Sequence, residues 1–93
     1  MMSEEKILTL HPEGKQGVRI DKNKYDQIRQ AILDVLKNEP DGFEFRNLTQ
    51  AVGNQIGDFD GSLGWYVITI KLDLEARGEI KRLKGSPQRI QLK

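Results

Sequence analysis

The residue types that do chemistry in proteins are sparse in this chain. Of its 93 residues one is a histidine, His11, and none is a cysteine. That leaves no histidine pair for a metal, no cysteine zinc site, no thiolate nucleophile and no disulfide, and no second histidine to serve a Ser-His-Asp arrangement. Gly14-Lys15-Gln16-Gly17 lacks the Gly-x-x-x-x-Gly-Lys-Ser/Thr spacing whose consecutive amides cradle phosphate. Asp58-Phe59-Asp60-Gly61 looks like part of a calcium loop. In that register, however, Ile56 takes the first ligand position and Val67 the place of the bidentate glutamate, so capping of a helix by Asp60 or Ser62 is the better reading. Asp73 and Glu75 stand two apart on a helix, point to different sides and read as solvated charges, not as an acid/base pair. The expectation is a non-enzyme with no cofactor and no metal.

Charge is more informative than nucleophiles. The net charge is +1 and the isoelectric point about 8.0, yet the last sixteen residues carry Lys81, Arg82, Lys84, Arg89 and Lys93 against Glu79 alone, a local +4. Attraction to a polyanion such as double-stranded DNA should concentrate there. The acidic start, the lack of a secretory pattern and the absence of any apolar run near the roughly 20 residues that span a bilayer predict a soluble cytoplasmic protein with no membrane partner.

The elements that would position these side chains follow from periodicity. Leu8 and Leu10 alternate with polar neighbours, as do Val18 and Ile20, around a Gly/Pro-containing turn, which predicts a hairpin. Asp21 is placed as the N-cap of a helix whose Tyr25, Ile28, Ile32, Val35 and Leu36 recur at helical spacing up to Asn38. Phe43-Glu44-Phe45 suits a short strand. A second helix with Phe45, Leu48, Val52 and Ile56 on one face ends at Gly57, and a third runs from about Ser62 to Arg77 and stops at Gly78. Residues 79–84 and 88–93 form a final hairpin, with a bulge or a strand end between Arg82 and Leu83. The predicted core is Tyr25, Ile28, Ile32, Leu36, Leu48, Val52, Val67, Ile70, Leu74, Ile80, Ile90 and Leu92.

This order predicts an α+β winged helix-turn-helix, with three helices and a C-terminal β-wing over 21–93 and an N-terminal β-hairpin extension over 1–20. The runs Leu10-His11-Pro12-Glu13-Gly14-Lys15-Gln16-Gly17-Val18, Gly64-Trp65-Tyr66-Val67 and Lys71-Leu72-Asp73-Leu74-Glu75-Ala76-Arg77-Gly78-Glu79-Ile80 resemble a small prokaryotic family of stand-alone winged-helix proteins of unknown function. The last run is also similar to the helix-to-wing junction of winged-helix transcription regulators. The resemblance implies the fold and DNA binding, and carries no catalytic residue over.

The third helix conflicts with base reading. Leu63, Tyr66, Val67, Ile70 and Leu74 form one apolar face and Trp65, Ile68, Leu72 and Ala76 another, leaving polar residues only in the seams: Lys71, Gly64 and Glu75 on one side, Ser62, Thr69 and Asp73 on the other. No Arg, Asn or Gln lies between Ser62 and Ala76 to make bidentate base contacts. Two readings follow. In the first, a weak and largely non-specific DNA binder uses the wing residues Lys81, Arg82, Lys84 and Arg89, with Ser62, Thr69 and Lys71 as auxiliary contacts. In the second, a protein-interaction or dimerisation module uses Trp65, Ile68 and Leu72, covered either by the N-terminal hairpin or by another subunit, with a homodimer as the expected outcome.

Overall fold

The computed structural model describes residues 5–93, so the first four residues of the acidic start and of the predicted extension lie outside it. Its first helix, α1 (Lys22–Lys37), begins where the Asp21 carboxylate accepts the Asn23 N–H at 3.2 Å, as the sequence predicts of an N-cap. Tyr25, Ile28, Ala31, Ile32 and Leu36 point inward from one stripe of it. After strand β3 (Phe43–Glu44) and a single 3-10 turn (Phe45–Asn47) comes α2 (Leu48–Ile56), which buries Leu48 and Val52. The third helix, α3 (Leu63–Ala76), has Ser62 at its cap position, where the serine carbonyl and not its side chain takes the bond from Tyr66 N–H at 3.1 Å. It ends in a Schellman turn: Gly78 at φ +77° donates to Glu75 O and Glu79 donates to Leu74 O.

Strands β4 (Ile80–Leu83) and β5 (Arg89–Leu92) close the chain, and β3 pairs with β5 to make a three-stranded antiparallel sheet of order β3-β5-β4. The register runs unbroken from Ile80 opposite Leu92 to Leu83 opposite Arg89, so the lapse of alternation at Leu83 is the strand's end and not a bulge. The predicted core is buried throughout except for Leu92, which packs at its edge; Ile20 and Ala31 join it.

Strands β1 (Lys6–Leu8) and β2 (Arg19–Asp21) form a separate two-stranded sheet. Ile7 stands opposite Ile20 and packs against the helical core, so alternation turns Leu8 and Leu10 outward and Thr9 inward. Thr9 extends the pairing past the ladder: its N–H donates to Val18 O at 2.8 Å and its Oγ1 accepts Val18 N–H at 3.0 Å. A Cβ on Gly17 would lie 1.7 Å from Thr9 O, so only glycine permits this approach.

Candidate interaction surface on the third helix

Three neighbours hold α3, and what they leave open is the candidate site. Its Val67, Ile70 and Leu74 are completely buried in the core. On the seam toward the C-terminal hairpin, Lys71 is only 2% exposed: its ammonium lies 2.5 Å from Glu75 Oε2, donates to Gln88 Oε1 at 2.9 Å and sits 4.7 Å from the centre of the Phe45 ring. Burial pushes this ammonium below the usual lysine range, and Glu75 opposes the shift. Arg82 Nη2 approaches the other Glu75 oxygen at 3.5 Å.

On the opposite seam the Asp73 carboxylate is fully buried. It accepts the Tyr25 hydroxyl, the Leu10 N–H at 2.9 Å and the Arg77 Nε–H at 2.9 Å. Arg77 continues to Leu8 O at 3.4 Å and lies over the Tyr25 ring. Burial first, then the bond to Asp73, holds the Tyr25 phenol well above its ordinary range, and the same carboxylate raises Arg77. The expectation that Asp73 and Glu75 are solvated surface charges is therefore corrected: both are enclosed, each with a cation beside it. Distant segments close the two seams: Leu10 of the N-terminal hairpin and Tyr25 of α1 reach Asp73, while Gln88 and Arg82 of the C-terminal hairpin reach Lys71 and Glu75. Local spacing carries no signal of these arrivals.

The remaining face is open. Trp65 is 45% and Ile68 47% exposed, while Leu72 is half-buried. Between this stripe and the N-terminal hairpin runs a groove of about 160 Å³, lined by Leu10, Val18, Trp65, Thr69 and Leu72 among others. The hairpin thus flanks the stripe and shelters Leu72 in part, but it does not cover Trp65 or Ile68.

The predicted nucleic-acid contacts differ in exposure. Lys71 is withdrawn into the interior, which corrects its assignment as an auxiliary contact: an ammonium bonded to Glu75 and Gln88 beneath the C-terminal hairpin does not reach a ligand. Lys81, Arg82, Lys84 and Arg89 are exposed. Strand alternation, however, puts Lys81 and Arg89 on the outer face of the sheet, whereas Arg82 shares the inner side with Ile80 and meets Glu75. Ser62 is exposed at the start of α3, and Thr69 is half-buried in the groove wall.

Among the described residues no group of three or more His, Asp or Glu side chains could hold a metal ion, and no helix is long and apolar enough to cross a membrane. No curated protein and no solved structure shows significant similarity to the chain. A family profile described as a family of unknown function, DUF6958, matches residues 6–90, nearly the whole chain, and the protein belongs to that family.

Proposed function

We propose that this chain is a non-enzymatic protein-interaction module of winged-helix architecture whose contact surface is the open face of α3. The architectural reading is supported by the order α1, β3, α2, α3, β4, β5 and by the pairing of the first of these strands with the last. The observation that carries the functional reading is the exposure of Trp65 and Ile68 side by side on a helix whose flanking charges are consumed internally. Contiguous exposed apolar side chains that include a tryptophan mark contact surfaces, because burying them against a partner removes a large apolar area from water. Leu10 and Val18, also exposed, extend the surface across the groove.

A photo-crosslinking residue in place of Ile68, introduced in cells that make the protein, should give a specific adduct that the same residue at exposed Gln27 on α1 does not. No adduct at position 68, or equal adducts at both, overturns the reading.

Nucleic-acid binding through the wing is the second reading, favoured by the exposed cations Lys81, Arg82, Lys84 and Arg89. It ranks lower because the outward side chains of α3 are apolar, Lys71 is enclosed and Arg82 is engaged by Glu75. Contacts from the wing alone reach phosphates and carry no sequence choice.

A further inference from the structure

We propose that the groove between the N-terminal hairpin and α3 is a binding site for a small, uncharged, single-ring aromatic ligand that carries a polar substituent. The site goes beyond the interaction reading above and does not depend on it, because Ile68 is not among the residues that line the groove.

The spacing of the groove's walls is what marks it. Leu10 and Val18 on the hairpin side and Trp65 and Leu72 on the α3 side bound a space of about 160 Å³, and Leu10, Val18 and Trp65 remain exposed. Exposed apolar side chains on neighbouring elements gain free energy by closing on one another. Polar struts prevent that here. Leu10 N–H is bonded to the buried Asp73 carboxylate at 2.9 Å, Thr9 N–H to Val18 O at 2.8 Å and Val18 N–H to Thr9 Oγ1 at 3.0 Å, so the backbone of both hairpin wall residues is fixed. Hydrogen bonds, and not the fit of one wall to the other, therefore set the width, which is the condition of a preorganised pocket.

Size and lining chemistry name the ligand class. A cavity of roughly 150 Å³ with apolar walls takes one benzene ring. No Asp, Glu, Lys or Arg lines the groove, so a charged ligand would lose hydration there without meeting an opposite charge. Polar side chains do share the lining. The Gln16 amide and the Thr69 hydroxyl each offer a donor and an acceptor. His11 Nδ1 accepts Glu13 N–H at 3.1 Å, which leaves the proton of the neutral ring on Nε2 as a further donor. A neutral ring bearing an amide or hydroxyl group matches both parts of this lining, with its apolar face against Trp65 and Leu72.

Benzamide is the probe, and Trp65, the only tryptophan, is the reporter. Benzamide should quench Trp65 emission saturably with a Kd of about 1 mM or tighter. Benzoate and benzylammonium, of similar shape, should bind about tenfold more weakly. Val18→Phe, which fills the groove from the hairpin side, should abolish saturable quenching, and Thr69→Val should weaken it about fivefold. In the wild-type protein, nuclear Overhauser effects should connect the benzamide ring protons to the methyl groups of Val18 and Leu72, a readout that stands even where Val18→Phe disturbs the hairpin. Equal affinity for the three probes, or no saturable quenching up to about 10 mM benzamide, overturns the site. Ring contacts to the Ile68 methyl groups in place of those of Val18 overturn it as well, by putting the ring on the open face of α3. The photo-adduct test at Ile68 is read separately, so failure of the groove leaves the interaction reading standing.

Discussion

The Asp73 carboxylate receives the hydroxyl of Tyr25, 48 residues away in sequence, inside the protein where neither meets water. The same carboxylate holds Leu10 N–H and Arg77, so one side chain of α3 ties down α1, the N-terminal hairpin and the helix's own last turn. Attachment of the hairpin's loop end to α3 depends on this polar junction, because the space beside it is a groove and not packed side chains.

Replacing Asp73 with alanine leaves the Tyr25 hydroxyl, the Leu10 amide and the Arg77 guanidinium without their acceptor. Of these only the Tyr25 hydroxyl is fully enclosed, and a buried polar group left unpaired costs about 1–3 kcal/mol, so a loss of that size is expected in urea titration. Hydrogen exchange at Leu10 should accelerate more than exchange at Ile32 in α1. A variant as stable as wild type, with Leu10 still protected, would contradict the junction.

Alkaline pH provides a second test. The folded protein holds Tyr25 protonated above the phenol's ordinary pKa, so above about pH 10 the unfolded chain releases a proton that the native state keeps. Unfolding is then favoured by rising pH, and this residue's contribution to stability, full below pH 10, declines by up to about 1.4 kcal/mol per pH unit above it. Tyr25→Phe should be less stable at pH 8 and should lack that part of the decline. Equal slopes in the two proteins would remove the assigned role of the phenol.

Lys71 has the opposite sign. Its ammonium is depressed by burial, so keeping it charged costs native stability at neutral pH, and that cost is relieved as pH rises through its lowered pKa toward the ordinary 10.5. Lys71→Met alone should destabilise by about 1–3 kcal/mol, because Glu75 keeps only Arg82. Lys71→Met/Glu75→Leu should recover most of that loss. A double variant no better than the single one would show that packing under Phe45, and not charge pairing, dominates this seam.

If duplex DNA binds at low salt, neutralising Lys81, Lys84 and Arg89 should lower the dependence of log affinity on log salt by about 0.9 for each phosphate contact removed. Lys71→Met should leave affinity unchanged, because that side chain is enclosed. Fluorescence anisotropy with two unrelated duplexes reads both, and a clear preference for one duplex would restore base reading.

In the core, Ile70 and Leu74 are completely buried, and truncation of either to alanine should cost about 2–5 kcal/mol. Thermal or denaturant unfolding checks this directly. Near-neutral effects at both would mean that α3 does not pack as described.

The sequence by itself determined the elements and the core, because those depend on local signals that need no knowledge of neighbours. Asp21 caps α1, Gly57 and Gly78 end the second and third helices, and the spacing of Ile28, Ile32 and Leu36 or of Val67, Ile70 and Leu74 selects a buried stripe whatever lies against it. The two-faced character of α3 was legible for the same reason. Only the tertiary structure decided what became of the charges. Whether Asp73 and Lys71 face water or an interior partner depends on where Leu10, Tyr25 and Gln88 arrive, and these lie 63, 48 and 17 residues away along the chain. The division of the C-terminal hairpin's cations follows from β4 placing Arg82 beside Glu75, a pairing that composition does not reveal. The openness of Trp65 and Ile68 follows from the direction of the hairpin, which turns Ile7 and Thr9 inward and stops short of the stripe. Periodicity fixes which side of a helix is apolar, but the arrival of distant backbone fixes which apolar side stays uncovered.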